Sequence, residues 1–446
     1  MRYPGIRSDS DLYTFGFAWR PWKYSTPIAE GPLIKQYLKE CAEEEGIYPH
    51  IEFQHKLKDA KWLSREQTWT ITVEATRDDG SKHQKYYRTK FLVLGTGYYD
   101  YDTPLKTKIP GMENFKGKVI HPQFWPEDLD YTDKNVAVIG SGATAITIIP
   151  AMAEKARKVT MVQRSPGYVI SIPNSRRATP WWLRMLPAHW RNSFIRLQYL
   201  LMGFWYRRFL SADGEVTKRF LARATQAQLP AHIPYDPHFK PNYAPWTQRM
   251  CLCPDGDFFK SLHTKKAGVE TGIIKTIEAD GIQMENGNKL EADIIVTATG
   301  LNMKYGGNAD FFVDGEKIEF GKKYLWRGVM IQDMPNAAIV MGYTKASWTL
   351  GADATAHMVV RMIKHLDSNK LDSATPRIPP KDMVRITSAP GIMGLTSTYI
   401  IQALHRLPKT SDEEPWKQRG NYMKDIWDAK YASISKGMQY TKRPGY

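Results

Sequence analysis

Six residues, Gly140-Ser141-Gly142-Ala143-Thr144-Ala145, fit the pattern G-x-G-x-x-G/A. The chain around them supplies what that pattern needs: the apolar run Val136-Ala-Val-Ile139 before it and a helical stretch, 143–155, after it. Each small residue has its own reason. Gly140 permits the tight turn, Gly142 lets backbone approach a diphosphate, and Ala145 allows close helix–strand contact, with the phosphates at the helix N-terminus. This is the chemistry of dinucleotide binding, to which Ala143 and Thr144 bring backbone N–H groups. Val159-Thr-Met-Val162 follows as a second strand, completing a βαβ unit. At its end, where an NADH-selective protein places a carboxylate on the adenosine ribose, stand Gln163, Arg164 and Ser165. An acid there would repel a 2′-phosphate, whereas Arg164 can bond to it with charge assistance, so these three positions are expected to bind NADPH in preference to NADH.

These residues need elements to hold them. A chain of 446 residues exceeds what one core usually carries, so two domains with an insertion are expected. Residues 33–46 carry Leu33, Ile34, Tyr37, Leu38 and Cys41 at helical spacing and stop at Gly46. Strands at 69–75 and 82–89 flank Arg77-Asp-Asp-Gly80, a hairpin signal, and Phe91-Leu-Val-Leu94 runs as a buried strand into Gly95-Thr96-Gly97. Residues 100–133, rich in Pro, Gly and Asp, form an ordered connector. Residues 180–228 are mostly helical and look like an insertion. Strands return at 268–277 and 281–290, with an Asn286-Gly287 turn, and at 293–296 before Ala298-Thr299-Gly300. Helical spacing reappears at 352–366.

Sixty-two Lys and Arg against 46 Asp and Glu give a net charge of +16, and residues 151–250 hold 16 basic and 4 acidic residues of that total. Such a local excess suits a nucleic acid, an anionic membrane surface or a polyanionic cofactor. No nucleic-acid motif accompanies it. The basic segment permits loose association with a membrane, although its longest aromatic-aliphatic run, Tyr199 to Tyr206, is too short to cross one. Cys41, Cys251 and Cys253 cannot build a disulfide framework, which fits a reducing, cytoplasmic setting. The C-x-C pair has no His or further Cys nearby, so no metal is expected.

Phe115-Lys-Gly117-Lys-Val-Ile-His121-Pro-Gln-Phe-Trp125-Pro126 matches F-x-G-x-x-x-H-x-x-x-W-P and resembles the fingerprint of Baeyer–Villiger monooxygenases. Arg2 to Asp9, Gly95 to Tyr99, the Gly140 turn and Pro245-Trp-Thr-Gln-Arg249 resemble that family in the same order, over nearly the whole chain. The stretches 246–252, 298–302 and 342–350 look most like its branch of ethionamide-activating enzymes. The resemblance implies an α/β fold with two Rossmann-like dinucleotide-binding domains, an FAD domain interrupted by an NADPH domain that carries a helical insertion. It places the FAD domain at 1–99 and 299–446, the connector at 100–133, the NADPH domain at 134–170 and 244–298, and the insertion at 171–243. The implied activity inserts one oxygen atom from O2 into a small hydrophobic ketone, or oxidises a sulfide or thioamide, through a C4a-peroxyflavin.

Arg249 matches the family's active-site arginine, whose permanent charge stabilises anions in a dry site, and Asp9 matches the acid that orients it, with Asp11 as the alternative register. The resemblance further implies cofactor contacts from Tyr13, Gly97, Thr299, Gly300, Trp348 and Thr349. The turn at 348–350 is expected to aim a helix N-terminus at the flavin. Phe115, Gly117, His121, Trp125 and Pro126 are expected to hold the domains in a productive relation, with His121 a structural hydrogen-bond donor. Gln248 stands where many relatives have a lysine for the 2′-phosphate, which leaves more of that task to Arg164.

The Gly140 turn is the only such fingerprint in the chain, so the first βα unit that would hold the FAD diphosphate is expected to be absent. The start would then be truncated and a strand edge exposed. Two further readings stay open: an NADPH-binding remnant unable to retain FAD, and a related flavin N- or S-monooxygenase.

Overall fold

A computed structural model describes residues 3–175, 180–212, 214–245, 247–248, 250–344, 346–379 and 397–442. It has two compact units, one built chiefly from Met1–Ala42 and Pro104–Leu301, the other from Glu43–Thr103, Asn302–Gly394 and Thr398–Tyr446. By contacts, the opening segment packs in the first unit, whereas the sequence assigned it to the flavin domain. Two long-range contacts tie it there: Arg7 pairs with Asp257, and the Ile28 N–H donates to Asn174 Oδ1 at 2.8 Å.

The first unit opens with a single helical turn, α1 (Leu12–Phe15), and the helix α2 (Gly31–Glu44), as the 33–46 periodicity predicts. Its centre is a parallel sheet of β1 (Lys118–Ile120), β2 (Asn135–Ile139), β3 (Lys158–Gln163), β4 (Ala267–Thr271) and β5 (Ile294–Thr297), in the order β4-β3-β2-β5-β1. The central strands β2 and β5 read as nearly continuous apolar runs because both their faces are covered. Between β2 and β3 runs α3 (Ala143–Ala153), whose Ile146, Ile148, Ile149 and Met152 are fully buried. Each such side chain contributes about 1.5–3 kcal/mol on leaving water. The run 268–277, expected as one strand, is two. Ala267–Thr271 joins the parallel sheet, and after Gly272 the chain turns into Ile274–Glu278, which starts a separate antiparallel sheet with Gly281–Met284 and Lys289–Glu291. The insertion supplies α4 (Trp181–Arg184), α5 (Ala188–Ala212) and α6 (Gly214–Gln226).

The second unit holds the 68–76 and 82–89 hairpin inside a five-stranded sheet that also takes His55–Leu63, Asp310–Val313 and Glu316–Lys317. A four-stranded sheet pairs Leu92–Leu94 in parallel with Ala337–Ile339, and Leu92–Leu94 forms one of its edges. The long helix α7 (Trp348–Ser368) begins four residues before the expected 352–366 spacing, so the 348–350 stretch is its first turn rather than a turn preceding it. Its Ala354, Met358 and Met362 pack into a core with Met330, Ala338 and Trp416.

Candidate functional site

The Gly140 turn is built as its spacing requires. Gly140 has φ +135°, and a Cβ on it would stand 2.2 Å from the Ala298 carbonyl oxygen. Its N–H donates to the Val162 carbonyl at 2.8 Å, tying the turn to β3. Gly142 is different: φ is an ordinary −83°, and a Cβ there would meet nothing within 4 Å. It caps α3 without a side-chain bond and is exposed together with Ala143, while Thr144 is half-buried. The leading N–H groups of a helix have no intrahelical partner, so this end of α3 is an open cradle for an anion. Ala145 is fully buried and lets α3 lie close on the sheet.

At the end of β3 the three predicted positions divide. Arg164 and Ser165 are exposed, and the Ser141 hydroxyl donates to the Ser165 carbonyl at 3.1 Å, joining this loop to the glycine turn. Among the described residues Arg164 takes part in no ion pair. Gln163 is buried instead, and its Nε2 donates to the His238 carbonyl at 2.7 Å and to Thr271 Oγ1 at 2.9 Å. It braces the strand end and offers the crevice nothing. Thr299 and Gly300 follow β5 beside Gly140. Thr299 Oγ1 accepts from the Thr107 hydroxyl at 2.9 Å, and Gly300 has φ +116°.

Around α1 a half-buried carboxylate meets a cation. Asp11 caps the turn, accepting from the Thr14 N–H at 2.8 Å and the Thr14 hydroxyl at 2.6 Å. Burial pushes its pKa up, against the Thr14 bonds and the charge of Arg196. Arg196, from α5, donates through Nη1 to the carbonyls of Tyr13 (3.0 Å), Thr14 (3.3 Å) and Gly16 (2.6 Å). Asp11 is therefore a structural cap, while Asp9 stands exposed two residues earlier. Arg249, and Trp246 in the same stretch, lie outside the described residues. Tyr13, expected at a cofactor, is buried, donates its hydroxyl to the Tyr24 carbonyl at 2.9 Å and packs on Tyr199 with ring centroids 4.6 Å apart. Nothing local in the sequence signals Arg196. Arg196→Met should lower unfolding free energy by about 1–3 kcal/mol, because part-buried carbonyls lose their donor. Urea melts check this, and an unchanged midpoint would contradict it.

In the connector, Phe115 is buried and Gly117 leaves no room for a Cβ, which would sit 2.3 Å from the Asp293 carbonyl oxygen. Trp125 packs half-buried on the core under the parallel sheet, and Pro126 is exposed. His121 Nδ1 accepts from the Gln123 N–H at 3.2 Å, capping a short turn. Its Nε2 is buried with no partner at hydrogen-bonding distance among the described residues. Burial holds the His121 pKa below the ordinary value, and the Gly300 carbonyl offsets this only in part. The neutral ring is thus favoured on folding. The stability it brings is present above the unfolded value, about 6.5, and is lost as pH falls through the lower folded value. Urea midpoints measured from pH 7.5 downward, by about three pH units, should fall more steeply for the wild type than for His121→Gln, by up to about 1.4 kcal/mol per pH unit. Parallel curves would remove this role.

In the second unit, Gly97 has φ +66°. The start of α7 is fixed from several sides. The Trp348 ring lies on Gly342, where a Cβ would come within 2.2 Å of it, and faces Tyr98 with centroids 4.7 Å apart. Ser347 caps α7 without a side-chain cap bond, and Thr349 occupies the first turn. Arg419, absent from the sequence expectations, is half-buried here. It donates to the carbonyls of Arg327 (3.0 Å) and Gly351 (3.1 Å) and to Thr355 Oγ1 (2.8 Å). Tyr343 donates to Asp425 at 2.7 Å, and burial raises the pKa of both. A cavity of about 30 Å³ lies against Gly342, Trp348 and Arg419.

The family model for flavin-binding monooxygenase-like proteins matches residues 25–198. FAD-containing monooxygenase EthA of Mycobacterium tuberculosis is 39% identical over 447 residues, covering 100% of this chain and 89% of the relative. Probable FAD-binding monooxygenase AlmA of Acinetobacter baylyi is 38% identical over 440 residues, covering 98% of this chain and 86% of the relative. Among solved structures, a steroid monooxygenase bound to NADP superposes with a TM-score of 0.74 at 19% identity, covering 99% of this chain and 91% of that one. Cyclohexanone monooxygenase from Rhodococcus sp. Phi1 bound to NADP+ gives 0.72 at 18% identity, with 99% and 91% covered. These two share the fold.

Proposed function

This chain belongs to the flavin-binding monooxygenase-like family, and from that premise we propose that it is an FAD- and NADPH-dependent monooxygenase of the Baeyer–Villiger type. Its substrate class is a small hydrophobic ketone, oxidised to an ester or lactone, or a sulfide or thioamide oxidised at sulfur. The observation that carries the proposal is the open Gly142 cradle at the N-terminus of α3, with the exposed guanidinium of Arg164, in no ion pair among the described residues, at the end of the adjoining strand. That pairing suits a dinucleotide bearing an extra phosphate.

Bound and reduced, the flavin supplies the activation of O2. The protein's task is to bind, orient and exclude water. The N-terminal turn of α3 holds the NADPH diphosphate, Arg164 and Ser165 take the 2′-phosphate, and Thr299 and Gly300 close the strand ends beside them. In the second unit, Gly97 and the first turn of α7 with Trp348 and Thr349 are the residues offered to the flavin, where a helix N-terminus favours an anionic ring. Arg249 is the proposed cation for developing negative charge, oriented by Asp9, on the strength of the family resemblance.

The test is to purify the chain and follow its flavin absorbance under anaerobic conditions. Retained FAD that is bleached by NADPH supports the proposal. Colourless folded protein that binds NADPH alone would leave a nucleotide-binding protein in its place.

A further inference from the structure

The helix α5 packs one side into its unit and leaves an apolar side outside. Ile195 is buried and Tyr199 packs beside it in the core around α1. On the opposite face Trp190, Phe194, Leu197, Leu201 and Trp205, four, three, four and four residues apart, are between 41% and 66% exposed. At 1.5 Å per residue this stripe runs for roughly 22 Å. Trp181 of α4 and Met185 just after it add side chains that are 75% and 76% exposed. A continuous apolar patch of this kind on a protein surface marks an interaction site.

Its charge selects the occupant. From Pro180 to Ala212 the chain has Arg184, Arg191, Arg196, Arg207 and Arg208 and no acidic residue. Arg196 is spent on the carbonyls of the α1 turn, while Arg184 and Arg208 are exposed at either end of the stripe. A second copy would bring the same cations face to face, which disfavours a symmetric pairing through this surface. Among the described residues no helix is long and apolar enough to cross a membrane. Tryptophans with flanking arginines instead suit the boundary between headgroups and acyl chains, where each nearby basic residue adds about 1 kcal/mol of attraction to anionic lipid.

We infer that α4 and α5 lie on an anionic phospholipid surface, with the Trp190–Trp205 stripe sunk to the headgroup boundary and Arg184, Arg191 and Arg208 among the phosphates. This rests on the stripe and its charge, and stands whether or not the chain oxidises a ketone.

The experiment is co-sedimentation of the full chain with vesicles of three parts phosphatidylcholine to one part phosphatidylglycerol, and with phosphatidylcholine alone. Partitioning should be about tenfold stronger onto the anionic vesicles and should weaken at on the order of 0.5 M salt. Leu197→Glu with Leu201→Glu, both at exposed positions, should lose it about tenfold or more while circular dichroism stays unchanged. Phosphatidylglycerol with brominated acyl chains should also quench the tryptophan emission of the unaltered chain, a readout that needs no variant. No binding to anionic vesicles, no quenching, or full binding by the double variant would overturn the inference. So would a stable dimer that the double variant dissociates, since the stripe would then face a second copy.

Discussion

Gly140→Ala should cost the protein its stability, while Gly142→Ala, two residues on, should fold normally and lose NADPH affinity about 10–100-fold, that is about 1.4–2.7 kcal/mol. The two glycines are small for different reasons. At Gly140 the backbone has φ +135°, and a methyl group would be driven to 2.2 Å from the Ala298 carbonyl oxygen, a backbone atom of the adjoining strand end. Relief requires β2 and β5 to part, and strain plus overpacking of this kind costs on the order of 3–5 kcal/mol, a large share of what holds a domain folded. At Gly142 the dihedral suits any residue and the space is open, so folding is indifferent. The methyl group would fill the space through which a diphosphate reaches the helix N-terminus. Thermal melts and NADPH titration of both variants separate the two effects. Two variants of equal stability would refute the account of the turn.

Arg164→Ala should lower kcat/KM for NADPH about 10–100-fold and leave that for NADH within about twofold, because one charge-assisted pair to the 2′-phosphate is worth about 1.5–3 kcal/mol and NADH has no such group. The side chain is exposed and belongs to no ion pair among the described residues, so its loss should leave the melting temperature unchanged. Steady-state kinetics with both nucleotides check this. An equal fall for both would mean that Arg164 acts on the diphosphate or on folding, and the preference for NADPH would need another origin.

These two predictions come from the part of the molecule that was most legible in the sequence. A strand, a glycine turn and a helix contiguous in the chain declare themselves, because their geometry is set by neighbours a few residues away. The hairpin at 68–89 and the start of α3 were readable for the same reason. Residues whose roles depend on distant partners were not. Gln163 occupies a position where cofactor contacts are expected, yet His238 and Thr271 claim its amide. Tyr13 is drawn inward by Tyr24 and Tyr199, and Arg196 and Arg419 are defined by carbonyls far away in the chain. Asp11 shows the intermediate case. Its capping of Thr14 follows from a three-residue spacing, a local signal that separates it from Asp9 once the turn at Leu12 is known. The break at Gly272 escaped detection because both halves of 268–277 carry strand-forming residues and differ only in the sheet they join.

The central claim is that one atom of dioxygen ends in the organic product at the expense of NADPH. Protein loaded with FAD, given NADPH and a ketone or thioether under isotopically labelled dioxygen, and followed by mass spectrometry, tests it most directly. The account predicts a product carrying a single labelled oxygen, with NADPH and dioxygen consumed in equal amounts. NADPH oxidation that yields only hydrogen peroxide, or a product whose added oxygen comes from water, would contradict it.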